Sequence, residues 1–195
     1  MIIFILIAIF VLIAYVWSLY NRLVTIKTRI KASIQEIGNQ LKRQADLIPS
    51  LVDSVKGYLK HEKGIFTELT DARKAILAAT SKNDPQMLVD ASEKVRSTLG
   101  HFTALLESTP QLRAVEAVSK LIDELRDTAD KVMYSRRVLI DLSADYNIMI
   151  VTFPNSLVAK IFKFQPEKGL QTPESGEYLE VSAEETKRPK VDLEK

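Results

Sequence analysis

The chain opens on an apolar run that passes without interruption into a striped pattern. Residues 2–20 carry no charge. As a helix rising about 1.5 Å per residue they reach roughly 28 Å, close to the hydrocarbon thickness of a bilayer. Beyond them Leu19, Leu23, Ile26, Ile30, Ile34, Ile37 and Leu41 recur at steps of 4, 3, 4, 4, 3 and 4. That is a helical period nearer to eleven residues than to seven. Neither Pro nor Gly occurs before Gly38. The pattern predicts one helix that leaves a membrane and enters a helical, water-soluble domain.

The first punctuation is Asp46-Leu47-Ile48-Pro49. Asp46 suits a helix cap and Pro49 a first helical turn, so a tight reversal is expected here. A Pro kink within one helix is the other reading. A second helix over about residues 48–80 carries Ile48, Leu51, Val55, Tyr58, Ile65, Leu69, Ala72, Ile76 and Ala79 on one face. Gly57 and Gly64 weaken it by about 1 kcal/mol each, and a bend is expected near His61 to Gly64. Asp84 and Pro85 form a cap and first turn for a third helix, 85–107, with Leu88, Ala91, Val95, Leu99, Phe102 and Leu106 inward. The fourth, 111–152, has the clearest heptad, running from Val115 to Phe153 with Arg136 and Ser143 as its polar positions. Arg136 either lays its stem along the seam edge or makes a polar contact that fixes register.

These elements predict an all-α fold: an N-terminal transmembrane helix continuing into an antiparallel up-down four-helix bundle, followed by a disordered C-terminal tail. The expected division is an anchor at 1–20, the bundle at 21–153 (helices about 2–45, 48–80, 85–107 and 111–152), an amphipathic membrane-proximal segment at 154–165 and a flexible acidic tail at 166–195. In an up-down bundle the fourth helix ends where the first leaves the bilayer. The stretch from Phe153 to Phe164 is short, aromatic and cationic. It reads as an interfacial segment or as a plug for the open end of the core.

Charge sharpens this picture. Residues 21–44 hold six Lys or Arg against one Glu, whereas residues 166–195 hold five against eight Asp or Glu. The basic cluster follows the span. The positive-inside rule therefore places the chain in the inner (plasma) membrane as a single-pass protein, N-terminus outside and C-terminal domain cytoplasmic. The run is longer than a signal-peptide core, and no small-x-small site follows it, so an uncleaved anchor is expected. Tyr15, Trp17, Tyr20 and Arg22 are the expected interface residues on the first helix, and Phe153, Ile161, Phe162 and Phe164 those on the returning segment.

Candidate chemistry is sparse. With no Cys, disulfides, thiolate catalysis and cysteine-ligated metals are excluded. His61 and His101 are the only histidines, and neither stands in a zinc-helix or Glu-x-x-His pattern. No Gly-rich phosphate loop or nucleic-acid motif occurs. No catalytic, cofactor-binding or metal-ligating residues are predicted, and the chain is not expected to be an enzyme.

Several short blocks carry a resemblance. Tyr20-Asn21-Arg22-Leu23-Val24, the stretch Gln40 to Pro49 ending in Asp46-Leu47-Ile48-Pro49, Val55-Lys56-Gly57-Tyr58, His61-Glu62, Ala72-Arg73, Asp145-Tyr146-Asn147 and Phe153-Pro154-Asn155 occur in this order. Over about residues 1–165 the chain resembles the LemA family of bacterial membrane proteins. Asp46, Pro49, Gly57, Tyr58, Tyr146, Asn147 and Pro154 are the positions that match most clearly. Gly38, Ile34 and Leu139-Ile140 depart from the family pattern. The resemblance implies an N-terminal anchor and an antiparallel helical bundle, and association with membrane-embedded zinc metalloproteases or envelope-stress functions. It supplies no catalytic residues.

Pattern and resemblance together predict a membrane-anchored, non-enzymatic scaffold or adaptor. Its expected partners are the lipid bilayer, a second copy of itself and a membrane metalloprotease or other membrane protein. The alternative is a lipid-binding or membrane-shaping protein that uses the basic juxtamembrane helix and residues 153–164.

Overall fold

A computed structural model describes residues 1–59, 62–82, 84–109, 115–167 and 170. Among them all regular structure is helical: α1 (Ile2–Val55), α2 (Lys63–Lys82), α3 (Pro85–Ser108), α4 (Glu116–Val151) and a short α5 (Asn155–Ile161). At about 1.5 Å per residue the 54 residues of α1 extend roughly 80 Å. Its two halves meet different surroundings. From Ile2 to Tyr15 every residue is exposed, and α1 is long and apolar enough near its N-terminus to cross a membrane. From Leu23 onward one stripe is buried: Leu23, Ile30, Ile37 and Leu41.

The stripe does not stop at Pro49. It continues through Ala45, Ile48, Leu51 and Val55 in the same helix, so the reversal expected at Asp46-Leu47-Ile48-Pro49 is absent. Asp46 is an exposed helical residue and not a cap. Pro49 has no N–H, and the carbonyl four residues before it, on Ala45, loses its helical partner. Arg73 replaces that partner: its Nε donates to the Ala45 oxygen at 3.0 Å from α2. The chain leaves the helix later, at Lys56. There Tyr58 and Leu59 both donate to the Val55 carbonyl, at 3.0 and 3.1 Å, and Leu59 is buried. Gly57, poor in a helix interior, sits in this turn. The second helix therefore starts at Lys63 rather than 48, where a bend is expected between His61 and Gly64. Gly64 lies in the first turn of α2, and His61 lies outside the described residues.

The start of α3 is as its sequence suggests. Pro85 is the first helical residue and Asp84 Oδ1 accepts from Met87 N at 2.9 Å. The start expected for the fourth helix, residue 111, lies outside the described residues; α4 is described from Glu116. Phe153, placed on the core seam by the heptad, is exposed, because α4 ends at Val151 and the chain turns away.

Packing centres on α1, which lies against α4 and α2, while α2 lies against α3. Large apolar side chains from all four long helices, among them Leu41, Ile76, Phe102 and Leu125, are fully buried. Small or short polar residues also line the core where α4 faces α1: Thr128, Ser135 and Ser143 are buried on one side, Ser33 and Gln44 on the other. Arg43 pairs with Glu124 between these helices, and Gln44 Nε2 donates to the Leu125 carbonyl at 3.5 Å. Helices α3 and α4 meet only sparsely, leaving a groove of ≈ 760 Å³ between them. Arg136 and Glu93 form an ion pair across it, which answers the question about Arg136: its head makes a polar contact with α3. Most of the expected acidic tail, residues 168–169 and 171–195, lies outside the described residues.

Candidate membrane-facing site

The residues expected at a membrane surface come from the two ends of the chain, and the fold joins several of them. After α4, Pro154 precedes the two turns of α5. One face of α5 is buried: Val158 and Ala159 belong to the main core. The other face is not. Phe153, Leu157 and Ile161 follow at four-residue intervals and are 80%, 54% and 71% exposed. The segment thus closes the core on one side and presents an apolar stripe on the other.

A Schellman-type ending stops α5. Phe164 N donates to the Ala159 carbonyl at 2.9 Å and Lys163 N to the Lys160 carbonyl at 3.3 Å, the crossed pair that satisfies the last free carbonyls of a helix. The geometry needs a left-handed residue, and Lys163 takes it with φ 55°, at a cost of about 1–2 kcal/mol for a side chain with a Cβ. The turn sends Phe164 back toward α1. Tyr20, at the domain end of the apolar run, lies between two rings: Phe162 at 4.7 Å and Phe164 at 5.7 Å between centroids. Three expected interface residues therefore meet. Tyr15, Trp17 and Arg22 are exposed on the same helix, whereas Phe153, just before α5, and Ile161, its last residue, lie on the outward stripe.

Beyond Phe164 the chain forms an extended strap, and α4 holds it by its main chain. Tyr146 Oη donates to the Gln165 carbonyl at 3.0 Å. The Asn147 amide makes two bonds to Glu167: Nδ2 donates to the carbonyl at 2.9 Å, and Oδ1 accepts from the N–H at 3.0 Å. Lys27 of α1 completes the cluster. Its Nζ is 3.1 Å from Glu167 Oε1 and 5.9 Å from the centroid of the Tyr146 ring, within range of a cation–π contact. The Tyr146 side chain is fully buried. Burial pushes its phenol above the ordinary value, with Lys27 opposing and Glu167 reinforcing the shift, which keeps the hydroxyl proton available for the bond to Gln165.

The matching family positions therefore serve separate places. Pro49 belongs to the Ala45–Arg73 contact inside the domain. Gly57 and Tyr58 lie in the exposed turn after α1. Tyr146, Asn147 and Pro154 belong to the end of the domain that packs beside Tyr20 and Lys27. The partners at this end, Lys27, Gln165 and Glu167, have no sequence signature of their own: two are held by backbone atoms, and Lys27 is one of six cations in a basic stretch. Among the described residues no three His, Asp or Glu side chains converge as metal ligands would. His101 Nδ1 lies 2.9 Å from Glu68 Oε2 on the exposed side of α2 and α3.

Comparison with curated proteins finds no match. The sequence pattern of the LemA family matches residues 33–192, a stretch that contains both the Pro49–Arg73 region and the Tyr146–Asn147 clamp, and the chain belongs to the LemA family.

Proposed function

We propose that the protein is a membrane-anchored, non-enzymatic adaptor, built as an antiparallel four-helix bundle on the cytoplasmic face of the plasma membrane. The observation that carries this reading is α1, which runs unbroken from the apolar run into the core. A helix has no hinge without a Pro kink, a Gly pair or an inserted group. At Pro49, the one proline in α1, Arg73 supports the opened carbonyl. A domain on such a stalk keeps its distance from and orientation to the bilayer, which suits the alignment of other membrane proteins. Cross-helix pairs support the antiparallel arrangement: Arg43 meets Glu124, while Lys27 meets Tyr146. The cations Arg22, Lys27, Arg29 and Lys31 favour the cytoplasmic side. The partners in this reading are a second copy or a membrane protein such as a metalloprotease.

In-cell crosslinking of the full chain, read by mass spectrometry, tests the proposal. Crosslinks from the helical domain to itself or to one membrane protein are expected. A chain that stays monomeric in detergent at high concentration and retrieves no partner would reject it.

The apolar stripe of Phe153, Leu157 and Ile161 favours a second reading, a lipid-binding role for the same end of the domain. It predicts salt-sensitive binding of a chain lacking residues 1–20 to anionic vesicles, lost in Leu157→Ser/Ile161→Ser. Binding that is indifferent to salt, lipid charge and both substitutions would reject it.

A further inference from the structure

Where α5 docks on α1 it leaves a recess of ≈ 460 Å³, lined by Leu12, Val16, Trp17, Tyr20, Asn21 and Phe162. Its size falls within the about 300–1,000 Å³ typical of small-molecule sites. The proposal rests on residues 2–20 crossing the bilayer. Given that, Leu12 to Tyr20 lie at the end of the span nearest the domain, and the medium along them changes from acyl chain at Leu12 and Val16 to the headgroup boundary at Tyr20. A single bare helix offers lipid a convex surface. Here the ring of Phe162, fixed 4.7 Å from Tyr20, adds a second wall. A chain in the recess touches both walls, whereas an empty recess would forfeit those dispersion contacts.

We propose that this recess is a phospholipid site. One acyl chain lies between the last turns of the apolar run and Phe162. The glycerol and phosphate lie at the domain end, where the lining changes to residues with polar tips: Trp17, Tyr20 and Asn21. Arg22 and Lys163 directly follow two lining residues, Asn21 and Phe162, in the chain. They place cations at the level of the headgroup, so an anionic phospholipid is preferred. The occupant is lipid rather than a second copy's span because one wall is Phe162 of the domain itself, beside the exposed cations of the membrane boundary, where another span would have to bring its own polar end against them.

The test uses the full chain in nanodiscs of phosphatidylcholine and phosphatidylglycerol, with a trace of phosphatidylglycerol carrying a diazirine on one acyl chain. After irradiation, peptides are mapped by mass spectrometry. Label is expected to concentrate on Val16, Tyr20 and Phe162 over Phe4 and Phe10, and to fall when the anionic probe is diluted with unlabelled phosphatidylglycerol but not with phosphatidylcholine. Val16→Phe, which fills the recess, is expected to abolish label on Phe162 while leaving the melting temperature and the label on Phe4 unchanged. Phe162→Ala, which removes one wall, is expected to return Val16 and Tyr20 to the level of Phe10. Even labelling around the whole run, unaffected by either substitution, would overturn the proposal, as would crosslinks joining residues 12–20 of two copies. Label missing from all of residues 2–20 would overturn the spanning reading beneath it, a result distinct from either.

Discussion

The far end of α1 and the end of the domain beside Tyr20 both leave main-chain groups that no regular structure satisfies, and each uses a distant side chain to satisfy them. At Pro49 one carbonyl is orphaned, one guanidinium meets it, and both sit on long, well-packed helices. At the strap, three bonds from Tyr146 and Asn147 hold a segment with no helix of its own, beside an exposed apolar stripe. The first contact keeps a helix continuous. The second keeps a loose segment in place. A stiff stalk needs only the former; the latter has value where residues 162–167 must stay against Tyr20 and Lys27. The end beside Tyr20 and Lys27 thus holds a loose segment against α1, and the far end keeps α1 continuous.

The largest effect is expected at Tyr146. Its ring is fully buried and its hydroxyl holds the strap, so Tyr146→Ala is expected to cost about 3–5 kcal/mol, the range for deleting a buried aromatic. Tyr146→Phe keeps the packing and removes only the bond to Gln165, for about 1 kcal/mol. Thermal or denaturant unfolding in detergent compares them. Equal losses would mean that the ring packs poorly and the hydroxyl does most of the holding.

Arg73→Met keeps most of the stem but leaves the Ala45 oxygen buried without its donor, at an expected cost of about 1–3 kcal/mol. Pro49→Ala restores a backbone N–H that can bond to the same oxygen. Placed on top of Arg73→Met, it should recover most of the loss. A double variant no more stable than Arg73→Met would show that Arg73 matters for some reason other than Pro49.

Asn147→Ala removes two bonds to Glu167 and is expected to cost about 1–2 kcal/mol at a half-buried site. Its clearer signature is local: amide exchange at Phe164 to Glu167 should accelerate, while that of Ala45 to Leu51 should not change. Acceleration at both ends together would deny that the two contacts are independent. Lys27→Gln, which breaks a partly exposed pair with Glu167, should cost less than about 1 kcal/mol and release the strap only slightly.

These two contacts also mark what the sequence could and could not disclose. The all-helical pattern, the apolar N-terminal helix, the Asp84–Pro85 start and the core face of α3 were legible because each depends on residues within a few turns. Of the two readings of Pro49 the reversal fails and a Pro within one helix stands, because the rule that assigns Pro to a first turn is local, while the remedy lies 28 residues from Ala45, on another helix. A correct signal was present: the apolar spacing from Leu41 through Ala45, Ile48, Leu51 and Val55 never changes phase. Tyr146 and Asn147 stood out only through the family resemblance, since their partners are main-chain atoms that no residue type announces. The meeting of Tyr20 with Phe162 and Phe164 followed from topology, but the recess beside them needs side-chain geometry.

The smallest expected effect concerns the sparse contact of α3 with α4, where Glu93 joins Arg136 across the groove and Arg96 on its own helix. Burial acts to raise the Glu93 pKa, but the hydrogen bonds and charges of Arg136 and Arg96 together outweigh it and leave the carboxyl below its ordinary value. A depressed pKa means that the native state holds the charged form more readily than the unfolded chain does. The stabilisation is therefore complete above the ordinary Glu range and is lost as pH falls through it toward the lower native value. Glu93 is 44% exposed, so solvent screens the pair, and the contribution is expected to stay below about 1 kcal/mol. Glu93→Gln should melt slightly below the parent at neutral pH and converge with it as acidification passes the lowered native pKa and protonates the parent carboxyl. A gap that stays constant over this range would show that Glu93 acts through shape rather than charge. The α3–α4 groove would then be held open by packing alone, unlike either of the two hydrogen-bonded ends.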